Sequence, residues 1–294
     1  MTNNNVITLS SGNVEVVIDA EHGSRLSSLR FGGKELLVHR TDGDSFSWGC
    51  YPMAPWAGRT RNGVFEYQGL SVQLPINSAP HAIHGLVHDA VWEAVLTSPT
   101  SATLRVELDQ RWPFTGWVEH RISVDSTSVN LQLTVHATAH NGEPVSVPAQ
   151  VGWHPWFVRP VQLEAEFKTM YVRDSDGIAG VQRAHQQHDL MHRQLDDCFT
   201  DAVTTPLLHF ENGLTVRLES DCSHWVVYNE PSHAICVEPQ SGPPNGLNSE
   251  PLVVSPDQSL TRFFSSDCTW LPLGRVVRLC LRRSTPTAPC ALPI

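Results

Sequence analysis

The chain has 294 residues, 40% of them hydrophobic and 17% charged, with a formal net charge of −10 at pH 7. That length can bury a large core, as two ordinary domains or as one large β-rich or barrel domain. The negative charge disfavours a phosphate backbone or an anionic membrane as partner. Only Lys34 and Lys168 are lysines and the arginines are scattered, so no nucleic-acid role is expected.

The start, "MTNNNVITLS", lacks a positive segment followed by an apolar one, so no secretory signal is read, and no run reaches the length of a membrane span. Seven cysteines without a CxxC pair suit reduced, mostly buried thiols in a cytoplasmic protein.

Period-two alternation dominates. "NVEVVID" (13–19) opens it, and "SRLSSLRFGGKELLV" (24–38) reads as strand, Gly-Gly turn, strand. "GVFEYQGLSVQL" (63–74) repeats that form around Gly69, and "ATLRVELDQ" (102–110) alternates cleanly. Residues 119–139 read as two longer strands joined at Ser126-Thr127, and further strands are expected at 214–220, 224–229, 234–239 and 275–283. One short helix is expected over 181–195, which has no internal proline or glycine. Prolines 239, 243, 244, 251 and 256 suit a long loop. There is no internal repeat or break in composition, so the expectation is one all-β domain over 1–294, a large antiparallel β-sandwich.

Several stretches could carry chemistry, and each has a plainer reading. "VGWHPWF" (151–157) places His154 among Trp153, Trp156 and Phe157, either as a hydrogen-bonded core histidine or on the floor of a pocket. "HAIHG" (81–85) holds His81 and His84, with Gly85 permitting a close backbone approach. "HQQHDLMH" supplies His185, His188 and His192, which would share a face if helical, as a polar surface or a metal site. Glu238 ends an apolar strand ahead of "PQSGPPNGLN", where a buried carboxylate must be paired or used. "YPMAPWAGRTRNGVF" (51–65) carries Arg59 and Arg61, and "LDDCF" (195–199) carries adjacent acids that suit a turn or a hydroxyl acceptor.

In this order the stretches resemble the aldose 1-epimerase (galactose mutarotase-like) family. "WAGRTRNGVF" is similar to its arginine loop, "AIHG" to its first His-Gly, and "HPWF" to its His-Pro-aromatic-Phe motif. "LDDCF" is similar to its aspartate segment, and "VEPQSGPPNGLN", the most specific of the five, to its Glu-Pro-Gln loop. The resemblance implies a twisted antiparallel supersandwich that interconverts the α and β anomers of a free aldohexose without cofactor or metal. Glu238 would be the base at O1 and His154, as imidazolium, the acid at O5. His84 would steady charge near the ring oxygen, and Arg59 and Asp196 would grip hydroxyls. Gln240, Asn248, Trp56 and Trp153 would line the cleft.

Leu86 stands where many members have a second glycine, His81 is additional, and Trp156 replaces a common tyrosine. These departures leave the sugar open. A hexose 6-phosphate held by Arg59, Arg61 or Arg159 is the first alternative. A non-catalytic sugar-binding protein on the same fold, a two-carboxylate glycosidase, and a metal enzyme using the 185–192 histidines are the others. The expected partner is a small monosaccharide, with no nucleic acid or membrane, and the oligomeric state stays undetermined.

Overall fold

The computed structural model describes residues 5–41, 44–139, 143, 145–185, 190–191, 193–211 and 213–270. Almost all of the regular structure is strand, and the helices among the described residues are one turn each, Arg61–Gly63 and Gly246–Ser249. Two large antiparallel sheets of 11 and 8 strands carry the architecture.

The 8-stranded sheet uses the cleanest alternating segments. Ser101–Glu107, Thr115–Val124, Ser128–Ala139 and Leu214–Ser220 all lie in it, the second and third joined by a turn at 125–127. Leu104, Val118, Leu131, Leu133 and Val216 from this sheet join one buried cluster with Leu9, Leu26, Phe157, Ile235 and Val237 from the 11-stranded sheet. The core therefore lies between the two sheets, as alternating side chains on facing pleated surfaces require.

The middle of the 11-stranded sheet runs Cys50–Met53, Gly152–Val158, Ala234–Gln240, His224–Tyr228, Asp196–Ala202, Phe167–Arg173, Ala179–His185. Its central strands are buried on both faces: Cys50–Met53 and Ala234–Gln240 at every position, and Gly152–Val158 at all but the last. One parity faces the core. The other must be covered by something else, and that face carries the site.

The expected helix over 181–195 is corrected. Residues 179–185 are a strand whose His185, Ala184 and Arg183 pair with Thr169, Met170 and Tyr171. The absence of proline and glycine permits a helix without requiring one, and Phe167–Arg173 offers pairing partners at Thr169, Met170, Tyr171 and Arg173. With the backbone extended, His185 no longer shares a helical face with His188 and His192, which lie outside the described residues. The strand expected at 275–283 lies outside them as well.

Several histidines are part of the buried framework. His120 donates its Nδ1–H to Ser24, at 3.0 Å to Oγ, and accepts the Trp153 indole N–H at Nε2 (3.2 Å), bridging the two sheets. Burial pushes His120 down to about 3 and His88 and His224 to about 4. The unfolded chain binds these protons near pH 6.5, so between pH 6.5 and about 4 it holds more protons than the folded one and stability falls with pH. Each histidine contributes a slope of at most about 1.4 kcal/mol per pH unit. Urea midpoints should drop from pH 7 to pH 5; a midpoint that holds or rises over that range would contradict these buried neutral rings.

Candidate active site

Strand parity decides what meets on the outer face. Along Gly152–Val158, Trp153 and Phe157 enter the core while His154 and Trp156 point the other way. Along Ala234–Gln240, Ile235 and Val237 are core and Glu238 and Gln240 face outward. The same rule presents Val226 and Tyr228, then Asp196 and Cys198, from the next two strands. These residues, with Arg59, Ile83, His84 and Arg173, line a cavity of about 350 Å³.

Pairing register builds the floor in rows. Tyr51 lies opposite His154, and Gly152 opposite Gln240 with Trp156 opposite Cys236 sets His154 against Glu238. The result is a buried contact of 3.2 Å between His154 Nε2 and Glu238 Oε1. The other oxygen, Oε2, accepts the Gln240 side-chain N–H at 3.0 Å. His154 is 5% exposed and Glu238 2%, so neither charge is hydrated.

Desolvation therefore pushes His154 down to about 3 and Glu238 well above the usual carboxylate range. Both shifts act the same way, toward a neutral carboxyl beside a neutral imidazole. A carboxyl O–H donating to Nε2, with the amide donating to Oε2, satisfies both oxygens.

The imidazole plane is fixed by stacking. Tyr51 lies on one side with ring centres 4.9 Å apart and planes at 23°, and Trp156 on the other at 5.2 Å and 10°. Behind Tyr51 sits the buried guanidinium of Arg25, 4.5 Å from the Tyr51 ring centre and 4.1 Å from that of Trp48. It donates to the Trp48 and Ser45 carbonyls at 2.7 Å each. Its positive charge further disfavours protonation of His154.

His84 stands edge-on to His154, ring centres 5.0 Å apart at 89°. It is held by an unusual backbone: His84 and Gly85 have φ of 61° and 76°, and Gly85 runs against Ala54 so closely that a Cβ would lie 2.0 Å from the Ala54 carbonyl oxygen. Only glycine fits there. Burial, with His154 nearby, holds His84 well below the usual histidine range.

Two arginines meet the acids at the far end. Arg59 Nη1 donates to Asp196 Oδ2 at 2.9 Å, while Arg173 lies 3.5 Å from the same oxygen and 3.0 Å from Asp197. Asp196, not Asp197, lines the cavity.

The sequence-derived candidates divide cleanly. His154, Glu238, His84, Arg59, Asp196 and Gln240 come together. Trp56 and Trp153 do not: Trp56 stacks on Trp112 in the core, and Trp153 faces the other sheet to donate to His120. Asn248 braces the chain, giving its N–H to the Val64 carbonyl at 2.9 Å, and His81 Nδ1 accepts the Asn62 N–H at 3.1 Å. Arg159 donates to the backbone carbonyls of Ala234 and Asn229 and lies outside the cavity lining. Tyr51, Arg173 and Tyr228 were missed, and Trp156 was named only among the aromatics around His154. Trp156 was legible, because it shares parity with His154 where Trp153 does not.

Among the described residues, one set of possible metal donors, His154, Cys236 and Glu238, has its donor atoms within 4.8 Å of one another. Two of the three are the His154–Glu238 contact pair and the third is a buried thiol.

Comparison with known proteins places the chain in a family. The family model for aldose 1-epimerase matches residues 5–263. "Uncharacterized protein YihR" of Escherichia coli K12 is 28% identical over 267 residues, covering 83% of this chain and 86% of that protein. A galactose mutarotase-like protein from Clostridium acetobutylicum superposes with a TM-score of 0.80 at 14% identity, covering 90% and 95% of the two chains. Galactose 1-epimerase from Lactobacillus acidophilus gives 0.74 at 16%, covering 92% and 96%. On its fold and on a family match over nearly its whole length, the chain belongs to the aldose 1-epimerase family.

Proposed function

We propose that the protein interconverts the α and β anomers of a free aldohexose, with Glu238 and His154 as the acid–base pair. The observation that carries this reading is their 3.2 Å contact on the floor of a cavity whose far end holds Arg59 and Asp196. Opening the ring needs a proton taken from O1 and one given to O5, with the roles reversed for closure on the other face. A pair holding one proton always has one partner ready to give and one ready to take. For ring opening the shared proton first passes from Glu238 to His154 across their 3.2 Å contact. The carboxylate then takes the O1 proton while His154 gives its proton to O5, which leaves the proton on Glu238, the arrangement from which closure starts.

Around the pair, His84 Nδ1 and Gln240 Oε1 are buried without a hydrogen-bond partner in the protein. Sugar hydroxyls would supply those partners. Trp156 and Tyr228 supply apolar surface for a ring face, and Arg59 with Asp196 hydrogen-bonds the hydroxyls away from C1.

A hexose 6-phosphate is the second reading. Arg173 favours it, standing beside Arg59 at the far end, although Asp196 and Asp197 already neutralise both guanidiniums.

Optical rotation of freshly dissolved α-D-glucose and α-D-galactose should reach its final value faster with the protein. Glu238→Gln should lose about 10²–10⁴-fold of that acceleration. No acceleration with either sugar, or an undiminished rate in the variant, would overturn the reading; glucose 6-phosphate is the third arm and tests the second reading.

The pH profile follows from the single shared proton. Adding a second requires pH near 3, where His154 titrates, and removing the only one requires pH above the raised Glu238 range. The rate should therefore change by less than about twofold between pH 5.5 and 7.5. An inflection near 6.5 would mean that His154 titrates as an exposed histidine.

A further inference from the structure

We infer that residues 174–178 form a strap across the end of the cavity away from the anomeric centre, clasped by Arg61, and that this strap restricts the substrate to free monosaccharides. The inference rests on the function proposed above and gives it a substrate class.

The sheet order supplies the ruler. Glu238 and Asp196 lie on strands separated by one other, His224–Tyr228, and two strand spacings amount to about 10 Å. A hexose with C1 at Glu238 thus directs its C3 and C4 hydroxyls toward Asp196 and Arg59. Phe167–Arg173 is the next strand beyond Asp196, and the turn that follows it lies where a substituent on O4 would leave the cavity.

That turn faces the opposite wall. Arg173, Gly177 and Ala179 line the cavity on its side, and Arg59, Asn77, Ser78 and Ile83 on the other. Arg61, two residues past Arg59, spans the gap: Nη2 donates to Asp174 and Nη1 to Asp176, so one guanidinium fork holds two carboxylates at the tip of the turn.

Both ends of the clasp are braced. Asp174 Oδ1 accepts the N–H groups of Asp176 (2.9 Å) and Ile178 (3.2 Å), and Ile178 is fully buried. The Arg61 N–H donates to Asn245 Oδ1 at 3.1 Å, and the next N–H, of Asn62, to His81. The ion pairs themselves are about one-third to one-half exposed, so salt should loosen them.

The test compares glucose with maltose, its 4-linked reducing disaccharide, by polarimetry on the full chain, with calorimetric binding of both sugars in parallel. The wild type should favour glucose strongly. Arg61→Ala, and separately Asp174→Asn with Asp176→Asn, should raise the maltose-to-glucose ratio about tenfold while glucose turnover changes less than about threefold. Raising the salt concentration should move the wild-type ratio in the same direction.

A wild type that handles maltose as well as glucose, or a ratio unchanged in both variants, would overturn the strap and leave the epimerase reading standing. If neither sugar is turned over but glucose binds and maltose does not, the strap is supported and the catalytic reading fails. Binding of neither overturns both.

Discussion

A carboxyl and an imidazole buried side by side, out of reach of water, are the constraint on which the rest of this site depends. Two charges there would each lose hydration, and the cheaper arrangement is a neutral acid next to a neutral base sharing one proton. Everything around the pair serves that arrangement. Gln240 occupies the second carboxyl oxygen, Tyr51 and Trp156 fix the plane of the imidazole, and the Arg25 cation behind Tyr51 disfavours a second proton on the ring. The same burial that would make an ion pair costly pushes the carboxyl up and the imidazole down.

The sheet contributes precision. Because side chains alternate and strands lie at a fixed spacing, a residue's place on the floor follows from two integers, its strand and its row. One face of five adjacent strands holds aromatic surface, the His154–Glu238 pair and the Asp196 end in sequence, while the opposite face is a plain apolar core. Where the backbone must approach a neighbour too closely for a side chain, as at Gly85 against Ala54, glycine is present.

Much of this was legible in the sequence, for identifiable reasons. The strands of the 8-stranded sheet alternate visibly because one of its faces meets solvent. The site strands are buried on both faces and show no alternation, so "VGWHPWF" and "LDDCF" could be read as strand, turn or pocket. Glu238, His154, His84, Arg59 and Asp196 were identifiable because each sits in a short motif with family character. Arg173 and Arg25 sit in no such motif; Arg173 meets Asp196 and Asp197, and Arg25 packs on Trp48 and Tyr51, through contacts between segments more than twenty residues apart. Residues 181–185 carried a permissive helical composition that a neighbouring strand edge overrode. Of the two tryptophans beside His154, strand parity sends Trp153 to the core and Trp156 to the cavity.

The most direct measurement is the infrared difference spectrum between the wild type and Glu238→Gln at pH 7. A protonated-carboxyl C=O band present in the wild type and absent from the variant is the predicted result. If the difference contains only ionised carboxylate bands, the pair is charged and the account of its shared proton is wrong.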